Sequence, residues 1–296
     1  CVAHQPFECC DGDKRFSPDG HSTSTSCGSD NSTGSCYSSR EKPDIRKAAK
    51  TSSSSLSKGE FREYYSGTGR LAKAVRRRGR RARELEAFSC GAFDSSCDIG
   101  DPAVVSREID DARAGRIAGA HFGIVCSSWC RMTQRFNHGT RSEALPYGDG
   151  SSQKENTGNE QLQQMWRMIL VFLELHIPFT IENPVDSLLW HSIEMLRLKQ
   201  VPGIHNVVLD QCMYFLRAPD WRPTSGDFRI RKRTRLLGNV AELSSLKRIC
   251  DKRHHHSWAW GHVRIREKRI SRAAAAGAYP QNLCFHLAKL FCRCMQ

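Results

Sequence analysis

No apolar run in this sequence approaches the roughly 18 residues of a membrane-spanning helix. A membrane partner is therefore not expected. The chain also lacks a P-loop. Ser66-Gly67-Thr68-Gly69 carries two glycines, but Ala72 stands where a third would, and no Lys-Ser or Lys-Thr pair follows. Its 14 cysteines include no pair of CxxC motifs at zinc-ribbon spacing. At 296 residues the chain does not need a disulfide scaffold, so the cysteines read as reduced thiols of an intracellular protein. Acidic residues are in deficit: 31 Asp and Glu face 45 Lys and Arg, a formal charge of +14. That balance favours a polyanionic partner such as nucleic acid. The chain begins at Cys1 without Met, as a fragment would, and an N-terminal targeting signal is not readable from it.

What is present divides in two. Residues 1–58 are rich in Ser, Gly, Thr and Asp with little apolar periodicity, and disorder is expected there. From residue 59 to 296, strand-like and helix-like runs alternate. "EFREYY" reads as a strand, "GRLAKAVRRRG" as a helix and "RELEAF" as a second strand. "DPAVVSREIDDARAG" reads as a helix with Asp101 as N-cap and Pro102 at its first position. "AHFGIVC" is a buried strand ending at Cys126. Leu162, Met165, Trp166 and Ile169 recur at helical spacing in "NEQLQQMWRMILVFLELH". "IPFTIENP" is a strand, "SLLWHSIEML" a helix and "VVLDQCMYF" again strand-like. This rhythm predicts an α/β fold, a mostly parallel sheet with helices on both faces. Residues 131–158 show no periodicity and read as one long loop. Residues 217–234 read as an inserted basic loop whose interleaved aromatics suit phosphate contact and base stacking, or simple solvation.

The turn after the first strand is the first candidate site. Missing β-carbons at Gly67 and Gly69 let backbone amides approach a ligand. Glu86 falls at the end of the second strand, where an acid can hold a ribose diol. Asp98, in "CDIGDP", falls near the end of a possible third strand. Carboxylates accept from ribose hydroxyls or an adenine amine and repel a pyrophosphate. The pattern suits S-adenosylmethionine better than a dinucleotide, although surface carboxylates or helix caps would look the same. A second pair follows. Cys126 and Glu182 end neighbouring strands, so a thiol and a carboxyl can face one substrate. A thiolate is a nucleophile and a carboxylic acid can protonate a ring nitrogen. A buried cysteine and a capping glutamate are the simpler reading of those two residues alone.

Four segments together resemble the C5-cytosine DNA methyltransferase family. "EYYSGTG" resembles its S-adenosylmethionine motif of an acid, an aromatic, a small residue and Gly-x-Gly. "GIVCSSW" resembles its Pro-Cys nucleophile motif, "IENP" its Glu-Asn motif, and "RIRKRTRLLGN" its Arg-x-Arg strand. "SGTGRLAKAVRRRG", "DIGDPAV", "CSSWCR", "ENPVDSLLW", "RKRTRLL" and "AYPQNLCFHLAK" look closer still to a divergent branch carried by protist retroelements. The likeness runs over about residues 60–290 in motif order. Val125 departs from the expected proline, and Cys130 stands where that branch more often has serine. The span from Thr234 to Ala278 is short for a large target-recognition domain.

The resemblance implies a Rossmann-like S-adenosylmethionine-dependent methyltransferase fold. It implies methyl transfer to C5 of a flipped cytosine in DNA, and hence a nuclear protein. It assigns Cys126 as nucleophile, Glu182 to N3 of the base, and Arg231 and Arg233 to the flipped nucleotide. It assigns the cofactor to Tyr65, Ser66, Gly67, Thr68, Gly69, Leu71, Glu86, Asp98 and Ile99. The alternatives are a decayed nucleic-acid-binding remnant of a mobile element and an RNA cytosine methyltransferase. An adenine amine methylase is disfavoured, since Val125-Cys126-Ser127-Ser128 is not an Asp/Asn-Pro-Pro-aromatic run.

No metal is expected. Cys1, His4, Cys9 and Cys10 lack a second spaced pair. Cys250 and His254 have zinc-like spacing in "CDKRHHHSWAWGH", but without a partner CxxC a basic surface loop is the simpler reading. Leu283, Leu287 and Leu290 on the last helix read as core, and "FCRCMQ" shows no catalytic pattern.

Overall fold

The computed structural model describes residues 59–295, apart from 90, 91, 137, 223, 225, 258, 260, 266 and 267. The disorder expected over 1–58 and the cysteines there lie outside the described residues. In chain order the regular elements are β1 (Glu60–Tyr64), α1 (Arg70–Arg76), β2 (Ala82–Leu85), β3 (Phe88–Ser89), β4 (Ala92–Phe93), α2 (Pro102–Arg113) and β5 (Ile117–Phe122). Then come α3 (Arg131–Phe136), α4 (Gln153–Glu174), β6 (Phe179–Pro184), α5 (Ile193–Leu198), β7 (His205–Asp210) and β8 (Phe228–Ile230). β9 (Arg233–Gly238), β10 (His255–Ser257), β11 (His262–Ile265), β12 (Lys268–Ser271), α6 (Arg272–Ala275) and α7 (Gln281–Cys294) complete the chain. No helix among the described residues is long and apolar enough to cross a membrane.

Six strands form one sheet in the order β2-β1-β5-β6-β9-β7. β2, β1, β5 and β6 are mutually parallel, and β9 runs antiparallel to both of its neighbours. The expected mostly parallel α/β sheet is therefore present, with one reversed strand that the βα rhythm did not announce. The reason is local. Among the described residues, the 211–232 connection from β7 to β9 holds no α-helix of the kind that usually carries a parallel crossover, and an antiparallel neighbour needs none.

Two apolar clusters sandwich the sheet. One joins Tyr64, Phe122 and Ile181 to α2, α4 and α5. The other joins Phe61, Val207 and Leu236 to α1 and α7, with Leu283, Leu287 and Leu290 buried as expected. The central strands are buried along almost their whole length, as strands covered on both faces must be. α2 is also bonded to β1 by polar groups. Arg62 meets Glu108 at 2.9 Å and Asp111 at 2.8 Å, and Tyr64 donates to Glu108 at 2.7 Å.

Four local expectations need correction. β5 ends at Phe122, so Cys126 lies in the loop four residues beyond the strand. The Gly123 amide makes a last bond to Tyr64 O at 3.1 Å, and a β-carbon at Gly123 would meet the Tyr279 hydroxyl at 2.9 Å, so the chain turns away in a crowded place. Among the described residues no third strand joins the six-stranded sheet before Asp98. Among the described residues β3 and β4 pair only with each other, and the exposed Phe88 and Phe93 rings meet at a tilt, 4.9 Å between centroids. Residues 131–158 are not one loop, because α3 and the first residues of α4 occupy them. Buried Glu155 explains this. Its carboxylate accepts from Thr140 N at 3.0 Å and Thr140 Oγ1 at 2.6 Å, tying the polar segment to the helix. "SLLWHSIEML" breaks into a 3₁₀ turn and α5, because the Ser187 and Ser192 side chains each cap a new start.

Candidate active site

Register pairing sets Tyr64 level with Leu85 on one side and Phe122 on the other, and Phe122 level with Ile181. The segments that follow these strands therefore share one rim. The chain leaves β1 for β2 on one side, while β5 lies on the other, which makes the β1/β5 boundary a topological switch point. Both candidate corners flank it.

On the β1 side, Ser66 is buried while Gly67 and Thr68 are exposed. Gly69 N donates to Ser66 O at 2.9 Å, closing a tight turn. Gly67 and Gly69 both have positive φ, 54° and 61°, and a β-carbon at Gly69 would strike Glu84 at 2.5 Å. Glu86 comes back to this turn, and its Oε2 accepts from Gly67 N at 2.6 Å. The Tyr65 hydroxyl is buried with no hydrogen-bond partner among the described residues. Burial, then the charges of Asp98 and Glu86, push that phenol well above its ordinary range. Tyr65, Glu86 and Asp98 are thus brought together with the glycine turn. Asp98 is half-buried and its Oδ1 accepts from Gly100 N at 2.8 Å. Leu71 and Ile99 are fully buried in the two apolar clusters.

Glu63, the acid of the same motif, was not singled out as a site residue. It is buried beneath the start of α1 and accepts from Ala72 N at 2.7 Å. Burial, opposed by these helix amides, raises its carboxyl to about 7. A carboxyl under the amides of a helix start takes the place an anion would otherwise occupy.

On the β5/β6 side, Cys126 is half-buried and lines a cavity of about 410 Å³. Arg231, Lys232 and Arg233 also line it, as do the small residues Ala273, Ala276 and Gly277. The loop carrying Cys126 is fixed from both sides. Asn183 Nδ2 donates to Ile124 O at 2.9 Å, and Trp129 N donates to Cys126 O at 3.0 Å. Burial pushes the Cys126 thiol up, Lys232 pulls it down, Glu182 pushes it up again, and the net position is above the ordinary thiol range.

Glu182 is 5% exposed at the end of β6. Its Oε2 accepts from the Tyr279 hydroxyl at 3.0 Å, while Oε1 has no hydrogen-bond partner among the described residues. Lys232 Nζ stands 3.7 Å from that oxygen. Tyr279 is one member of a buried chain: its hydroxyl is 3.0 Å from His121 Nε2, and His121 Nδ1 is 2.7 Å from Thr180 Oγ1. Tyr279 spends its one proton on Glu182, so His121 Nε2 must donate to Tyr279 and Nδ1 must accept from Thr180. Burial drops the His121 imidazole to about 3, so it is neutral and this tautomer is the one the chain requires. Sequence pattern marks His121, Lys232 and Tyr279 weakly: Lys232 lies between Arg231 and Arg233, Tyr279 lies in "AYPQNLCFHLAK", and His121 carries no signal.

Arg231 and Arg233 stand side by side on one buried acid. Arg233 meets Asp210 at 3.0 and 3.1 Å, and Arg231 is 3.8 Å away. Burial would raise the Asp210 carboxyl, but Arg233 and the Cys250 amide hold it below its ordinary range. The rest of the basic segment is ordered by its own aromatics. Arg217 stacks 3.6 Å over Trp221 and Arg229 lies 4.1 Å over Phe215. β8 and the start of β9 lie within what was read as a loop. No protein-family profile, curated protein or solved structure matches this chain.

Proposed function

We propose that this chain has a Rossmann-like methyltransferase fold and transfers a methyl group from S-adenosylmethionine to C5 of cytosine in DNA, with Cys126 as nucleophile. One observation carries the reading. Lys232 lines the same basic cavity as the Cys126 thiol and stands 3.7 Å from the buried Glu182 carboxyl, on the same rim as the glycine turn.

The glycine corner fits the cofactor in three respects. The Tyr65 hydroxyl is unpartnered beside two carboxylates. Space at Gly67 is open, with nothing within 4 Å of a β-carbon there. Glu63 already fills the helix start, which disfavours a pyrophosphate and tolerates a cationic ligand. Glu86 would release Gly67 N and hold a ribose diol, with Tyr65 and Asp98 beside it. When bound, S-adenosylmethionine supplies an electrophilic methyl group.

The chain's own residues then act on the base. The Cys126 thiolate forms a bond to C6, and the ring electron pair moves to C5. Glu182 in its acid form donates from Oε1 to N3, since Tyr279 already occupies Oε2. The Glu182 charge is one reason the Cys126 thiol sits high, so protonating Glu182 favours ionising Cys126 and leaves Lys232 to stabilise the thiolate. After C5 takes the methyl group, with S-adenosylhomocysteine as leaving group, a base removes the C5 proton, the S–C6 bond breaks, the ring double bond returns and N3 gives its proton back to Glu182. Arg231 and Arg233, anchored on Asp210, present N–H groups to the flipped nucleotide.

The test is mass spectrometry of DNA incubated with the protein and labelled S-adenosylmethionine. Labelled 5-methylcytosine is expected; an unmodified product would overturn the reading. A second reading, DNA binding without methyl transfer, is favoured by the raised Cys126 thiol. It would leave salt-sensitive DNA binding intact and yield no labelled base. RNA offered in parallel separates the two polymers.

A further inference from the structure

We propose that Cys212, Cys250, His254 and His256 form a tetrahedral zinc site that clamps the arginine wall of the cavity. Their ligand atoms all lie within 4.8 Å of one another. Cys250 Sγ is 3.7 Å from His254 Nε2 and 3.5 Å from His256 Nε2, and the two Nε2 atoms are 3.1 Å apart. Zinc bonds of about 2.3 Å to sulfur and about 2.05 Å to nitrogen make a tetrahedron with N–S edges of about 3.6 Å and an N–N edge of about 3.4 Å. The side chains already approximate those edges. Both imidazoles present the same nitrogen to one point, which a surface loop has no reason to arrange.

The donor set is also chemically suitable. Two thiolates and two neutral imidazoles with no open position describe a structural zinc site rather than a catalytic one. Two thiolates balance the dication, which suits a neighbourhood that already holds Arg231 and Arg233 against one acid, Asp210. The Lys252 amide donates to Cys250 Sγ at 3.4 Å, which fixes the position of the sulfur.

The ligands come from separate elements. Cys212 sits in the 3₁₀ turn Gln211–Tyr214 after β7, His256 is in β10, and Cys250 and His254 precede β10. β10 pairs with β8, His256 opposite Arg229, two residues before Arg231. The Cys250 amide donates to Asp210 at 2.8 Å, and Asp210 holds Arg233. The metal therefore joins the end of β7 to the β8–β9 bend that carries Arg231, Lys232 and Arg233.

The experiment is metal analysis of the full chain purified without chelator, with cobalt(II) exchange followed by visible spectroscopy. One zinc per chain is expected, replaced by a tetrahedral, thiolate-ligated cobalt spectrum. His256 is exposed, so His256→Asn should fold normally while losing zinc retention on dialysis; Cys250→Ser should lose it as well. Substoichiometric metal after zinc supplementation would overturn the proposal. So would full retention by His256→Asn, or a Cys212–Cys250 disulfide in metal-free folded protein.

Discussion

The two corners of the rim differ in how finished they are. The thiol–carboxyl corner is closed: Thr180, His121, Tyr279 and Glu182 form one directed hydrogen-bond chain, leaving a single carboxylate oxygen open. The glycine corner is provisional, with Glu86 on an amide at an exposed turn and a Tyr65 hydroxyl that has no hydrogen-bond partner among the described residues. A buried polar network must be satisfied in the resting protein, because leaving it open costs about 1–3 kcal/mol per group. Glu86 at the exposed turn carries no such cost and can exchange partners when a ligand arrives, whereas the buried Tyr65 hydroxyl carries it until a ligand supplies a partner. Substitutions on the closed side should therefore remove chemistry, and those on the open side should remove affinity.

The largest effect is expected from Cys126→Ser. Methyl transfer should fall about 10³-fold or more, and covalent trapping on DNA containing 5-fluorocytosine should vanish. Binding of S-adenosylmethionine should be unchanged in calorimetry. A variant that still methylates at the parent rate would break the assignment of the nucleophile. Glu182→Gln comes next. Loss of the acid at N3 should cost about 10²–10⁴-fold in turnover, again at constant cofactor affinity. A change confined to cofactor affinity would move Glu182 to the other corner.

Sequence pattern made the parallel half of this fold legible and left the antiparallel half obscure. Leu162, Met165 and Ile169 announced α4 by their period, and all three are fully buried. "IENP" announced β6 and Glu182 through a strand ended by proline. Those signals are local. His121 and Tyr279 lie 158 positions apart and meet only through the sheet and α7, so no spacing could link them. Cys212 and Cys250 fail the CxxC test for the same reason, because bonds from Asp210 to Arg248 and Cys250 rather than a tight turn bring them together. The third strand was misjudged because Asp94 and Asp98 side chains hold residues 94–100 in tight turns.

Glu63 adds a pH test of the boundary between the corners. Its folded carboxyl sits at about 7, above its ordinary value near 4.5, so the folded state binds the proton more tightly than the unfolded chain. The resulting stabilisation is complete below about pH 4.5 and is lost as pH rises through about 7. Glu63→Gln keeps an acceptor for Ala72 N and removes the ionisation. Urea midpoints should then vary less between about pH 5 and about pH 8, by an amount worth about 2–3 kcal/mol. An unaltered pH profile would show that Glu63 is not the group responsible.

The smallest expected effect is the most discriminating. Glu86 accepts from Gly67 N in the resting chain, and its half-exposed position means little folding stability depends on it. Glu86→Ala should weaken S-adenosylmethionine about tenfold, or about 1.4 kcal/mol, by removing the proposed ribose acceptor. Turnover at saturating cofactor should stay close to the parent value, since no group on the closed side has changed. Calorimetry and saturation kinetics on the same variant separate these outcomes. A fall in saturated turnover with unchanged affinity would mean that the glycine corner is as finished as the thiol corner, and that Glu86 shapes the turn rather than meeting a ligand.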